Sequence, residues 1–171
     1  MFGDKFTVWR NDRNSHGGGV LVAINNDVNL NVISSKNGPG ESITLDIQLH
    51  PKIKFNLITF YRPPNEYALE NLIDIIETNT TENCLYLGDY NLPDLDWQSD
   101  PGKCKVKENS LRKSQHQLAL DTIMEADLKQ QISKPTHRCG NTLDLVMVYK
   151  SFLDDVTVEC DILPPISDHN M

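Results

Sequence analysis

Length, composition and charge indicate an ordinary globular domain spanning residues 1–171. The chain has 171 residues, 39% of them apolar and 23% charged, which is typical of a soluble folded protein. Its longest apolar runs, Val20–Ile24 and Leu143–Tyr149, are far too short to span a bilayer, and its N-terminus contains no signal-peptide run. Four cysteines without a C-x-x-C pair predict reduced thiols in an intracellular protein.

The net charge of −8 argues against a polyanionic partner, but the charge is distributed unevenly. The segment Lys103–Arg138 carries eight basic and four acidic residues, so its local charge is +4 and the rest of the chain holds −12. Such a segment either engages nucleic-acid phosphates or is the solvated face of a loop and a helix. Charge alone leaves both interpretations open.

The first third of the chain predicts four strands. Phe6–Trp9 is one, and Val20–Ile24, directly after three glycines in "HGGGVLVAI", is the second. Ser42–Leu49 alternates apolar and polar residues, which predicts a half-buried strand. A turn containing a proline then leads to Lys54–Phe60, so these last two strands are expected to form a hairpin.

Two helices and two further strands are expected in the rest. The stretch "RPPNEYALENLIDIIETN" predicts a helix with Asn65 as N-cap and an apolar stripe at Leu69, Leu72, Ile73 and Ile76. A second helix is predicted from Ser110 to Glu125, with its apolar face at Leu120, Ile123, Met124 and Leu111. Cys84–Leu87 and "TLDLVMVY" are strands. This element order predicts stacked sheets with helices outside.

The short stretch "CLYLGDYNLPDLDW" places two polar side chains directly after an apolar strand. Gly88 permits a tight turn where the strand leaves the sheet. If the backbone stays extended, Asp89 and Asn91 project to one side and Tyr90 to the other. An anionic acceptor and an amide donor would then lie together at the rim of a sheet. An isolated aspartate after a strand more often has a local role, in which its side chain hydrogen-bonds the backbone of a turn.

Asp144 interrupts an otherwise apolar strand, and a buried carboxylate requires a partner. His169 is a candidate partner for Asp144. Its neighbour Asp168 cannot easily orient the ring of the adjacent residue, whereas a carboxylate from another strand can. An Asp–His pair with a second carboxylate nearby can hold a water, take its proton and stabilise negative charge. The alternative is that His169 is simply an exposed residue near the chain end.

Four motifs in order resemble the endonuclease/exonuclease/phosphatase family: "YRPPN", "LGDYNLPDLDW", "KPTHRCGNTLDLVMV" and "SDH". More narrowly, they are similar to the apurinic-type endonuclease domain of non-LTR retrotransposons. "VWRNDRNSHGGGVLVAI" resembles the stretch that precedes those motifs in such elements. The resemblance implies an α+β fold, a four-layer α/β sandwich of two packed, mostly antiparallel sheets flanked by helices, incomplete at the N- and C-termini.

The resemblance also implies roles for the residues that match the motifs. Asp89 would orient or deprotonate the attacking water, and Asn91 would donate to the charge that develops on phosphorus. Tyr61 would contact the scissile phosphate. Asp144 would fix the ring of His169, which would stabilise the transition state. The implied reaction is metal-dependent hydrolysis of DNA phosphodiester bonds, a nicking reaction in an intracellular protein, with nuclear localisation expected.

Further residues would bind the metal and the DNA. By the same resemblance, Asp168 would contribute to the region of a divalent metal, Mg²⁺ or Mn²⁺. The expected nucleic-acid contacts are Thr136, Arg138, Asn141 and Thr142. The basic segment Lys103–Arg138 would then engage backbone phosphates on an otherwise acidic protein. No protein partner and no membrane association are implied.

The chain departs from the family pattern at both ends. Family domains begin with strands that carry an asparagine and then a metal-binding glutamate, whereas Glu41 and Asp46 lie in a different strand context. The last family strand, after the "SDH" motif, is also missing. The chain is therefore expected to be a fragment with impaired activity. Open alternatives are a non-catalytic remnant or nucleic-acid-binding module with the same fold, and a phosphatase or deadenylase of the same superfamily.

The resemblance makes one geometric prediction. Asp89, Asn91, Asp144 and His169 should converge from three strand ends on one cleft, although they are far apart in sequence. Asp144 should approach the His169 ring within hydrogen-bond or one-water reach. Tyr61 should open onto the same cleft.

Overall fold

A computed structural model describes residues 3–14, 17–64, 69–97, 104–132 and 134–149. The elements in chain order are a 3₁₀ turn (Gly3–Lys5), β1 (Phe6–Asp12), β2 (Gly19–Asn25), β3 (Asn31–Asn37), β4 (Glu41–His50), β5 (Ile53–Tyr61), α1 (Glu70–Asn79), β6 (Cys84–Asp89), β7 (Leu95–Asp96), β8 (Lys105–Val106), α2 (Lys113–Glu125), β9 (Leu128–Gln130) and β10 (Asp144–Tyr149). Within these ranges no helix is long and apolar enough to cross a membrane.

A six-stranded sheet in the order β3-β4-β5-β6-β10-β9 forms the centre of the fold. The alternating pattern of β4 and the apolar run of β5 pair antiparallel, which confirms the predicted hairpin. β5 and β6 are parallel, and the chain crosses between them through α1, as parallel neighbours require. β10 pairs antiparallel with β6, so strands from distant parts of the sequence meet at the centre of the sheet.

The two faces of this sheet bury different partners. One face packs against both helices in a core that includes Phe60, Tyr86 and Leu145 from the strands and Leu72 and Ile123 from α1 and α2. The opposite face of β4 packs against the hairpin β1–β2; this smaller cluster contains Val22, Ile43, Leu45 and Ile47. The described residues therefore form a helix layer, a central sheet and the two-stranded sheet β1–β2, and β7 and β8 pair as a further two-stranded sheet. The predicted α+β class is confirmed.

Both helices begin later than predicted. α1 starts at Glu70 with Leu69 at the N-cap and no side-chain capping bond; the predicted cap Asn65 lies outside the described residues. α2 starts at Lys113 instead of Ser110. The Ser110 hydroxyl instead donates to the Asp94 carboxylate at 2.7 Å and accepts from the Arg112 backbone N–H at 3.2 Å, which ties the preceding turn together.

The predicted apolar face of α2 was partly wrong. Leu120 and Ile123 are buried as expected, but Leu111 is fully exposed and Met124 is 54% exposed. The buried face instead includes His116 and Ala119. The late start of the helix explains Leu111, because that residue lies in the turn before α2 and not on its first turn.

Gly88 is required by the close approach of β5 and β6. It has φ +151°, and a Cβ at this position would overlap the backbone carbonyl oxygen of Phe60. Gly88 is paired with Phe60 on one side and with Leu145 on the other. The glycine before the aspartate therefore serves the packing of three adjacent strands at the point where β6 ends.

Candidate active site

Four polar residues lie side by side across the ends of four adjacent strands. Glu41 of β4 is the register partner of Tyr61 in β5, Tyr61 is the partner of Asp89 in β6, and Asp89 is the partner of Asp144 in β10. Register partners project from the same face of a sheet. Because neighbouring strands are about 4.8 Å apart, this cross-strand row is roughly 15 Å long. We call Glu41, Tyr61, Asp89 and Asp144 the cross-strand row.

Asn91 is locked onto Asp89 by two hydrogen bonds. Its backbone N–H donates to Asp89 Oδ1 and its side-chain amide to Asp89 Oδ2, both at 3.0 Å. Asn91 adopts φ +44°, a left-handed conformation that asparagine tolerates better than most residues. The predicted pair of an anionic acceptor and an amide donor is therefore present, but a turn brings it about and not the extended backbone that the sequence suggested.

Arg62 supports this turn from the neighbouring strand, and the sequence analysis missed it. Its backbone N–H donates to Asp89 O at 2.8 Å and its guanidinium to Asn91 O at 2.8 Å. The Asn91 amide donates in return to Arg62 O at 2.7 Å. Arg62 is only 2% exposed. The signal was its place in "YRPPN", beside Tyr61, where a buried arginine must have acceptors.

Asp144 is placed by a threonine in the preceding loop. The Thr136 hydroxyl accepts hydrogen bonds from the backbone N–H groups of Leu143, at 2.9 Å, and Asp144, at 3.0 Å. Tyr90 N–H donates to Leu143 O at 2.9 Å and ties the same point to the end of β6. Thr136 is buried, so its hydroxyl has an internal role in fixing the start of β10.

The other predicted nucleic-acid residues lie in the same loop. Two backbone bonds, from Thr136 N–H and His137 N–H to Asn141 O, close it into a tight turn with Arg138 exposed. The Asn141 side-chain oxygen accepts from Lys107 Nζ at 3.0 Å. Thr142 donates to Lys134 O at 3.3 Å. The structure thus places all four residues beside the Asp144 end of the cross-strand row; their contacts with nucleic acid stay predictions.

His169 and Asp168 lie outside the described residues, so the predicted Asp144–His169 contact and the metal role of Asp168 stay predictions. Among the residues that the structure does describe, no group of three or more His, Cys, Asp or Glu side chains is placed to hold a metal ion.

Tyr61 lies in an environment that keeps its hydroxyl protonated. Burial raises the pKa of Tyr61, and the negative charges of Asp89 and Glu41 raise it further, while Arg13 opposes the shift. The phenol is therefore a neutral O–H donor throughout the physiological pH range. Glu41 and Arg13 are the second set of residues near the site whose role the sequence analysis did not find.

A cleft of about 400 Å³ opens beside Asn91. Its lining includes Pro64 and Pro93 together with the polar side chains of Asp94, Asn109 and Arg112. The turn after β6 therefore borders an open cleft.

Comparisons with known proteins identify the family and the fold of this chain. A family model described as "Endonuclease-reverse transcriptase" matches residues 55–171. The fold is similar to the solved endonuclease domain of TRAS1, a telomere-specific non-LTR retrotransposon, with a TM-score of 0.66 and 17% sequence identity. That match covers 97% of this chain and 76% of the TRAS1 chain. No curated protein sequence gave a significant match. The chain belongs to the endonuclease–reverse transcriptase family and has the fold of a retrotransposon endonuclease domain.

Proposed function

We propose that this domain hydrolyses phosphodiester bonds of DNA and introduces nicks, as the endonuclease part of a retroelement. The observation that carries the proposal is the cross-strand row, because it joins Tyr61, Asp89 and Asp144 at one edge of one sheet and Asn91 is bonded to Asp89. Hydrolysis of a phosphodiester needs a positioned water and donors that stabilise the charge on the non-bridging oxygens. At this end of the sheet, Asp89 can position the water, and Asn91 and Tyr61 can act as the donors.

In the proposed reaction, Asp89 orients the attacking water and accepts its proton. Asn91 and Tyr61 donate hydrogen bonds to the phosphate oxygens, and Asp144 orients His169, which stabilises the transition state. The Asn91 amide at present donates to Asp89 and to Arg62 O. Contact with a phosphate would replace one of these bonds, a rearrangement that is common when a free site takes up its substrate.

A divalent ion, Mg²⁺ or Mn²⁺, is part of the proposal. Asp168 would supply one ligand, and phosphate oxygens and waters commonly complete the coordination of Mg²⁺. The neighbouring carboxylates Asp89 and Asp144 make this sheet edge negative, which favours a cation nearby. When bound, such an ion neutralises the phosphate charge and polarises the phosphoryl group.

DNA would bind along the loop that contains Lys134 and Arg138, which we call the basic loop. Arg138 and Lys134 are exposed next to the start of β10, and the segment Lys103–Arg138 has a local charge of +4 on a protein of net charge −8. Cationic side chains that contact phosphates supply affinity without reading sequence. The acidic remainder of the protein would then limit binding to this one surface.

The test is conversion of supercoiled plasmid to nicked circles with Mg²⁺ and with EDTA. We expect metal-dependent nicking, and a loss of about 10²–10⁴-fold in Asp89→Asn, the range typical of a catalytic acid or base. The matched control is Asp121→Asn, which neutralises an exposed carboxylate on α2 and should leave the rate unchanged. The expected impairment of this chain stays a prediction, which the absolute rate measures.

Three outcomes would contradict the proposal. Nicking that is equal in wild type and Asp89→Asn would show that another site or a contaminant is responsible. Salt-dependent DNA binding with no cleavage under any metal condition would favour the nucleic-acid-binding module instead. Release of phosphate from inositol phosphates, or shortening of poly(A), with plasmid left intact would favour a phosphatase or deadenylase.

A further inference from the structure

Arg13 and the glycines that follow it meet one end of the cross-strand row, although the proposed chemistry does not use them. Arg13 Nε lies 2.8 Å from Glu41 Oε1, and the Glu41 side chain is 7% exposed while that of Arg13 is 45% exposed. The backbone N–H of Gly19 donates to the other carboxylate oxygen, Oε2. Both oxygens of this buried carboxylate are therefore engaged.

Gly18 and Gly19 make room for this arrangement. A Cβ at Gly18 would overlap the Arg13 guanidinium, and a Cβ at Gly19 would lie 2.7 Å from the carbonyl oxygen of Asn11. Their φ angles are +85° and +119°, which side chains rarely adopt. These two glycines therefore allow the backbone to approach Arg13 and β1 closely, which places the Gly19 N–H on Glu41.

The pair acts on Tyr61 in two ways. Glu41 is the cross-strand partner of Tyr61, and Arg13, whose Nε lies 2.8 Å from Glu41 Oε1, brings a positive charge to the same end of the row. The negative charge of Glu41 raises the pKa of Tyr61, and the positive charge of Arg13 lowers it. Arg13 and Gly19 each bond one oxygen of Glu41, so the carboxylate is held in place beside Tyr61.

We propose that Arg13 and Glu41 are positioning residues for Tyr61. Glu41 holds the guanidinium of Arg13 at this end of the row, and the two opposite charges together set the electrostatic environment in which the Tyr61 hydroxyl keeps its proton. The role given to this proton, donation to a phosphate oxygen, rests on the proposed function. The arrangement of the three side chains does not, so the two claims can fail separately.

The test is a pH titration of Tyr61 that needs no DNA. Protein labelled with ¹³Cζ-tyrosine is followed by NMR, and the Tyr61 signal is assigned as the one missing from Tyr61→Phe. We expect Glu41→Gln to lower the pKa of Tyr61, because a negative neighbour is removed, and Arg13→Met to raise it, because a positive donor is removed. A merely structural ion pair would instead give shifts of the same sign, since either variant would loosen the same hairpin.

Arg10 and Asp12 provide the matched control, since they form an exposed ion pair on β1, 3.1 Å apart. Arg10→Met and Asp12→Asn should leave the Tyr61 titration unchanged. Glu41→Gln keeps an acceptor for Gly19, so it remains informative if Arg13→Met does not fold. Shifts of the same sign, or no shift in Glu41→Gln, would overturn the proposal. Opposite shifts in a wild-type protein that does not nick plasmid would refute only the proposed function.

Discussion

Among the described glycines, Gly88 is the one at which an added Cβ would lie closest to another atom, 1.8 Å from the carbonyl oxygen of Phe60. It lies between β5 and β10 at the end of β6, and the next residue is Asp89. The steric limit comes from the Phe60 backbone, which cannot rotate away as a side chain could. The glycine of "LGDYN" is therefore part of how the site is built, because it allows the three strands that carry Tyr61, Asp89 and Asp144 to lie in register.

Gly88→Ala should destabilise the protein by more than about 3 kcal/mol, because it combines overpacking against backbone with a positive φ. Gly140→Ala is the matched control. Gly140 also has a positive φ, +81°, but a Cβ there meets nothing within 4 Å, so we expect a cost of only about 1–2 kcal/mol. Urea unfolding measures both. Equal losses would show that the close approach to Phe60 is not what requires glycine.

Substitution of Thr136 distinguishes a structural role of its hydroxyl from a role in nucleic-acid contact. Thr136→Val removes the acceptor for two backbone N–H groups and should cost about 1–3 kcal/mol. Thr142→Val removes one long donor bond to Lys134 O and should change the free energy of unfolding by less than about 0.5 kcal/mol. If Thr136 served only as a DNA contact, its variant would be as stable as wild type in thermal unfolding.

At the scale of elements, α2 is attached to the site through the turn that precedes it. His116, in the first turn of the helix, is buried with Nδ1 3.1 Å from Arg112 O and 3.7 Å from the Asp94 carboxylate. Ser110 bonds the same carboxylate. Since Asp94 and His116 line the cleft beside Asn91, the docking of α2 shapes that groove.

His116 should make the stability depend on pH. Burial lowers the pKa of His116 from 6.5, and the positive charges of Arg62 and Arg112 act in the same direction. The unfolded state then binds the proton more readily, so stability is complete above about pH 6.5 and falls as the pH drops below it, by at most about 1.4 kcal/mol per unit. The fall stops below the folded-state pKa.

Urea unfolding of wild type and His116→Gln between pH 5 and 8 checks this. The variant should be less stable at pH 8 but should show a flatter profile through the window below pH 6.5. His50→Gln, at the exposed last residue of β4, should keep the wild-type slope. An unchanged slope in His116→Gln would assign the pH dependence to other groups.

The alternation of apolar and polar residues in Ser42–Leu49 was sufficient to predict β4. The apolar stripe of α1 was likewise sufficient to predict a helix, because burial of one face imposes a period on the sequence. β3 was missed. It is an edge strand, and Val32 is its one partly buried residue. Its sequence therefore shows no alternation of apolar and polar residues that would predict a strand. The predicted start of α2 failed for a local reason, since the turn bonds of Ser110 compete with helix initiation.

At the scale of the whole molecule, part of the candidate site could be predicted from the sequence. Asp89, Asn91, Asp144 and Tyr61 come from motifs that the resemblance identified, and the sheet brings them together. Arg13 and Glu41 could not be found in this way. They are distant in sequence, and only the pairing of β4 with β5 and the closing of the β1–β2 hairpin place them beside Tyr61.

DNA binding should depend on the basic loop and on salt. Lys134→Gln and Arg138→Gln should each weaken binding equally for unrelated sequences and reduce the slope of log K against log salt by about 1. Lys52→Gln, in the exposed turn between β4 and β5, is the control and should change neither quantity. Fluorescence anisotropy with labelled duplexes over a range of NaCl measures both. Slopes unchanged in the loop variants would place the DNA on another surface.

The central claim is that the cross-strand row works as one catalytic unit, and a double-mutant cycle on plasmid nicking tests it most directly. Asp89→Asn and Asp144→Asn are measured singly and together with Mg²⁺. Residues that act in one catalytic step are strongly non-additive. We predict that the double variant nicks within about 3-fold of the slower single variant. Losses that multiply across the two positions, or a single variant that keeps the wild-type rate, would contradict the account.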